Sequence, residues 1–73
     1  MEGDLENLSV RETEVLDRVV LGMTNAQIAR ELNVTPHAVK FHLGSVYRKL
    51  GVTNRTEAAV AYLRHAEGAA APA

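Results

Sequence analysis

The chain contains no cysteine. That absence excludes a disulfide framework and any thiolate metal site. No apolar run approaches the ~20 residues of a membrane span, and no charged-then-apolar signal segment opens the chain. A soluble, cytoplasmic protein is therefore the expectation. No strand pattern and no internal repeat is present. No glycine-rich phosphate loop exists, and no carboxylate sits near a plausible base-and-nucleophile pair, so neither an enzyme nor a cofactor is expected. The last absence is one of sign: from Asn33 to Arg55 there is not a single Asp or Glu.

The charge that is present is sorted along the chain. Residues 1–17 hold six acids against Arg11, whereas residues 18–73 hold seven Lys/Arg against Glu31, Glu57 and Glu67. Lys40, Arg48, Lys49 and Arg55 all fall in the acid-free stretch. A basic patch on a domain of net charge −1 suits phosphate, although a solvated helix face looks similar in composition alone. The chain of 73 residues is one domain at most. Its core is thin, so helix-on-helix packing or association of copies is the expected source of stability.

Helix signals recur at regular intervals. Ser9 with Glu12 three residues on reads as a capping box opening a first helix, whose stripe is Val15, Leu16, Val19 and Val20 and whose end is Gly22. Thr24 with Gln27 opens a second. Thr35 followed by Pro36 opens a third, with Val39, Leu43, Val46 and Leu50 inward and Gly51 as its stop. Asn54 with Glu57 opens a fourth. The expected fold is all-α, a compact four-helix bundle with helices at about 10–21, 25–32, 36–50 and 55–66. Residues 1–7 read as a flexible leader or linker end, 8–66 as the domain, and 67–73 as a disordered tail.

The second and third helices have the spacing of a helix-turn-helix, which lays its second helix in the DNA major groove. Ile28 and Leu32 share a face, and Ala29 is small where the helices must cross. Asn33 tolerates a left-handed turn. Val34 plugs the corner and Val39 points back from the following helix.

With the helices placed, LSVRETEVL (Leu8–Leu16), GMTNAQI (Gly22–Ile28), HAVKFHL (His37–Leu43) and RKLGVTNRTEA (Arg48–Ala58) closely resemble the LuxR-type DNA-binding domain, the module also seen in FixJ-type response regulators and in GerE. The resemblance covers roughly residues 8–65. It implies a bacterial transcriptional regulator, or the C-terminal effector domain of one, whose third helix enters the major groove and whose fourth helix pairs two copies. The other reading is a helix-turn-helix serving as a protein–protein interaction module in transcription control, docking for example an RNA polymerase subunit. Retention of Lys40, Lys49 and Arg55 without neighbouring acids favours DNA.

Residues opposite the buried stripe of the third helix are His37, Lys40, Phe41, Gly44 and Arg48. His37, Lys40, Phe41 and Gly44 are the expected base-facing set. The resemblance gives Lys40 a base, and lysine can donate to guanine O6 and N7; a plain phosphate contact is the alternative. Phe41 either lies on a thymine methyl or folds over the helix crossing as core. Gly44 is unexpected inside a helix and suits close approach of backbone to DNA. His37 reaches DNA or is simply solvated. The expected phosphate contacts are Thr24, Asn25, Thr35, His42, Ser45, Arg48, Lys49 and Arg55. For Thr24 and Thr35 capping is the main role, and Lys49 could instead pair with Glu31 or Glu57. His42 and His37 are five residues apart and do not stack as a metal pair, so no metal is expected. The resemblance makes His42 a semi-buried ring donating an N–H to phosphate. On the fourth helix Ala58, Ala59 and Tyr62 can face the core, leaving Thr56, Val60 and Leu63 for a weak homodimer formed or strengthened on DNA. Double-stranded DNA carrying an inverted repeat is the expected partner, with no membrane and no small-molecule ligand in this domain.

Overall fold

The computed structural model describes residues 5–70, with the side chains of Glu6 and residues 66–70 left out of the account. After a 3-10 turn at Leu5–Asn7 come four helices: α1 (Val10–Val20), α2 (Asn25–Leu32), α3 (Pro36–Leu50) and α4 (Arg55–Ala70). Each start is set by a side chain that takes an otherwise orphaned N–H. Ser9 Oγ accepts from Glu12 N at 3.1 Å while Glu12 Oε1 accepts from Ser9 N at 2.9 Å. Thr24 and Gln27 exchange the same pair of bonds at 3.1 and 2.8 Å. Thr35 Oγ1 accepts from Ala38 N at 3.0 Å, and Pro36 sits at the first helical position. The α4 cap is split between two residues: Asn54 Oδ1 accepts from Glu57 N at 2.9 Å, and Glu57 Oε1 reaches back to Thr53 N at 2.8 Å.

The core is one cluster. Val15, Leu16 and Val19 of α1, Ile28 and Ala29 of α2, Val39, Leu43, Val46 and Leu50 of α3, and Ala58 of α4 are all buried. These are the stripes that the three–four spacing predicts, except that Val20, expected on the α1 stripe, is only half-buried and lies outside the cluster, at the margin of the face. Leu32, Val34, Ala61 and Tyr62 pack half-buried against them. Tyr62 also faces Asp17, and hydrogen bonding to that carboxylate holds the phenol above its ordinary pKa.

Asn33 carries the corner between α2 and α3. Its φ of 59° and ψ of 46° are left-handed, and it is the one non-glycine residue with positive φ among the described residues. The turn is closed by Val34 N donating to Ala29 O at 2.9 Å. A β-branched residue resists this conformation. Asn33→Val is therefore expected to lower stability by roughly 1–2 kcal/mol. Thermal unfolding checks it; an unchanged melting temperature contradicts the corner geometry.

Two boundaries differ from expectation. Helix α4 passes through Gly68 to Ala70 rather than ending near Ala66, so residues 67–70 are helix and not tail. Glycine costs only about 1 kcal/mol against alanine in a helix, and the flanking residues are the best helix formers. Residues 71–73 lie outside the described residues. At the other end, Leu5 packs against the core instead of belonging wholly to a loose leader, since it supplies apolar area over α3; residues 1–4 lie outside the described residues. Among the described residues no helix is long and apolar enough to cross a membrane.

Candidate nucleic-acid interface

A helix whose buried stripe is Val39, Leu43, Val46 and Leu50 must turn its other side outward. On α3 that side carries His37, Lys40, Phe41 and Arg48, all exposed, with Gly44 half-buried between them. Phe41 settles between its two readings: it is 67 % exposed and does not fold over the helix crossing. Its ring meets His42 edge-on, with centroids 5.8 Å apart. His42 is half-buried, as a ring straddling core and surface would be.

The remaining expected contacts divide into two groups. Thr24, Asn25 and Arg55 are brought together, because the Arg55 guanidinium donates to Asn25 Oδ1 at 2.8 Å and also to the Met23 carbonyl. Arg55 thus ties the start of α4 to the start of α2. It is half-buried and committed to protein partners, which the chain separation of the two segments concealed. Thr24 and Thr35 act as caps with their hydroxyls, and the other first-turn N–H groups of α2 and α3 have no partner within their own helices.

Ser45 and Lys49 go elsewhere. They share the edge of α3 that faces α1, and both converge on Glu12. Ser45 Oγ donates to Glu12 Oε2 at 2.6 Å, and Lys49 Nζ meets Glu12 Oε1 at 2.8 Å. Lys49 also donates to the Asn7 carbonyl at 3.3 Å. Lys49 therefore pairs with neither Glu31 nor Glu57: Glu31 takes Arg18, and Glu57 caps α4. The geometry decides this, because Lys49 projects toward α1 and not toward α2 or the α4 start.

Glu12 is the residue whose main part sequence reading missed. It is legible as half of a capping box, but its second oxygen and its burial are not. Burial on its own raises a carboxyl pKa. Here the Lys49 ammonium, the Ser45 hydroxyl and the Ser9 N–H outweigh burial and hold Glu12 at about 2. Both carboxylate oxygens are engaged, and no buried side-chain polar atom lacks a partner among the described residues. The carboxylate thereby ties the start of α1 to Ser45 and Lys49, one turn apart on α3, and reinforces the orientation that the buried stripe sets.

On α4, Ala58 is buried and Ala59, Ala61 and Tyr62 are half-buried, while Val60 is 42 % and Leu63 49 % exposed. Thr56 and Val60 border a shallow groove with Gly51, Val52, Ala61 and Arg64. The helix thus presents an apolar face away from the core, with the expected residues on it.

Comparison with known proteins agrees with this geometry. The family model described as bacterial regulatory proteins, luxR family, matches residues 6–62. The chain is 46 % identical over 54 residues to the "Probable transcriptional regulatory protein SgaR" of Hyphomicrobium methylovorum, covering 74 % of this chain and 26 % of that protein. It is 46 % identical over 57 residues to the "Probable transcriptional regulatory protein NarL" of Mycobacterium tuberculosis (strain ATCC 25618 / H37Rv), covering 78 % and 26 %. It is 43 % identical over 53 residues to the "HTH-type transcriptional regulator MalT" of Vibrio campbellii, covering 73 % and 6 %. The chain spans about a quarter of the length of the first two relatives and far less of the third. Capped helices at family spacing, the left-handed Asn33 corner and the family match over residues 6–62 together make this chain a member of the LuxR family of bacterial regulatory proteins, with its helix-turn-helix in α2 and α3.

Proposed function

We propose that this chain is the sequence-specific DNA-binding part of a transcriptional regulator, acting in the cytoplasm. Helix α3 enters the major groove, and two copies pair through Thr56, Val60 and Leu63 on an inverted repeat. One observation carries the reading: α3 turns outward a cation, an exposed aromatic ring and a second cation on one face, in a stretch without any acid. An exposed Phe41 is costly in water and well placed to cover a thymine methyl. His37, Lys40, Phe41 and the backbone at Gly44 are the base-facing set. The N-termini of α2 and α3, at Thr24, Asn25 and Thr35, hold phosphates, and His42 adds an N–H. Ser45, Lys49 and Arg55 support this surface chiefly by positioning α3 and the α2 start, since their polar groups already have partners. RNA polymerase is a further partner of the DNA-bound dimer.

Lys40 is the test of reading as against mere holding. Lys40→Ala is expected to cost about 1–3 kcal/mol on a selected duplex and to relax preference at one base pair. Binding isotherms on selected and random duplexes check this. Equal losses on both would reduce Lys40 to a phosphate contact. Binding of neither duplex by the unmodified protein would favour a protein–protein module instead.

A further inference from the structure

The outward face of α3 has a notch at Gly44, and a side chain from one turn on lies beside it. A Cβ at Gly44 would stand 3.7 Å from Nη1 of Arg48, the nearest atom outside the helix backbone and the two flanking residues. Long helical side chains lean toward the N-terminus and cover the preceding turn, so residue 48 lies over residue 44. With no side chain at 44, the guanidinium settles against the helix itself. Gly44 is half-buried although nothing but hydrogen occupies its own side-chain position. Arg48 remains exposed, and among the described residues it has no ion pair: the three present are Arg11–Glu14, Arg18–Glu31 and Lys49–Glu12. Its neighbour Lys49 is committed to Glu12, whereas Arg48 is free to meet a ligand.

The geometry points to Arg48 as a base-reading residue that acts at the level of Gly44, with guanine as its ligand. This rests on α3 entering the major groove. Reading the sequence alone puts Arg48 on a phosphate, and its Cα lies in the last turn of α3. The notch moves the functional end of the side chain one turn back, into the middle of the outward face. A rigid guanidinium fork matches guanine O6 and N7 through two parallel donors, which a lysine ammonium does not reproduce. The level of residue 44 lies about 6 Å along the helix from Lys40. With about 3.4 Å per base step, the guanine read by Arg48 falls within about two base pairs of the one contacted by Lys40. Gly44 then has a purpose that needs no contact of its own: a Cβ there would only touch the guanidinium, but any longer side chain would compete with it for the same place.

Enrichment from a pool of randomised duplexes tests this with the full chain, comparing the unmodified protein with Arg48→Lys and Gly44→Leu. The unmodified protein is expected to select a guanine within two base pairs of the position that Lys40→Ala relaxes. Arg48→Lys keeps the charge, so it should hold its affinity for random duplex and its salt dependence while losing about tenfold or more on the selected duplex. Gly44→Leu should lose the same guanine although Arg48 is still present, because the filled notch displaces the guanidinium. If Gly44→Leu fails to fold, Arg48→Lys decides by itself. Retention of the guanine preference in Arg48→Lys would overturn the inference. So would Arg48→Ala weakening selected and random duplexes alike with a salt slope shallower by about one, which is the signature of a phosphate clamp. If the unmodified protein enriches no sequence and binds without salt dependence, the DNA reading itself has failed and the inference falls with it.

Discussion

Glu12→Ala is expected to remove about 3 kcal/mol of stability and to lower the melting temperature by roughly 15 °C. The substitution leaves Ser9 N and Ser45 Oγ without their acceptor, and Lys49 without its counter-ion. Acid should act on the same group. The Glu12 pKa lies at about 2 against an ordinary 4.5. A carboxylate depressed on folding stabilises the protein above its unfolded pKa and loses that contribution as pH falls through the folded value. The window is therefore about pH 4.5 down to about 2, and the amount is about 3 kcal/mol. Glu12→Gln keeps the shape and removes the titration. Denaturant unfolding of both proteins between pH 2 and 7 should show the unmodified protein losing stability steeply over that window and the Gln variant losing less. Superimposable pH profiles would mean that the Glu12 network does not hold α3 against α1.

Val60→Glu is expected to leave the monomer folded and to weaken binding to an inverted-repeat duplex by about a hundredfold, with little effect on a single half-site. Val60 is 42 % exposed, so a charge there meets water in the monomer. In a two-fold pairing through α4 the two glutamates would face each other across the axis, and a like-charged pair in an interface is repulsive. Such a pairing sets two α3 helices about 34–36 Å apart on one side of the duplex. Pairing makes the second half-site engagement intramolecular, and linkage of that kind is worth on the order of 10²–10⁴ in affinity. Circular dichroism and binding on both duplexes give the outcome. An unfolded Val60→Glu would mean that α4 is rotated relative to the face described. A folded variant binding both duplexes like the unmodified protein would remove the α4 dimer.

Much of the fold is legible along the chain because its determinants are local. Ser9, Thr24, Thr35 and Asn54 cap helices through bonds spanning three residues, and Asn33 and Gly51 stop them through their own backbone freedom. The buried stripe of α3 follows from period alone. The contacts that escaped are those between segments far apart in sequence. Ser45 and Lys49 reach Glu12 across 33 and 37 residues, and Arg55 reaches Asn25 across 30. Periodicity places all of these residues at the margins of helical faces, and only packing decides to which side a marginal polar group turns. Phe41 shows the converse limit. Its position was legible, but whether an aromatic at a helix margin folds inward depends on free space at the α2–α3 crossing. The far end of α4 is illegible for a different reason: one glycine beside alanines is a weak stop.

The salt dependence of DNA binding tests the central claim most directly. A titration of a selected duplex by fluorescence anisotropy, repeated at several salt concentrations, gives the slope of log affinity against log salt. Two cations on the outward face, Lys40 and Arg48, with about half a positive charge at each of the α2 and α3 N-termini, predict a slope of about −2 to −3 per protomer. A slope near zero would contradict the account, because a surface that neutralises no phosphates cannot be the DNA-binding face of a regulator.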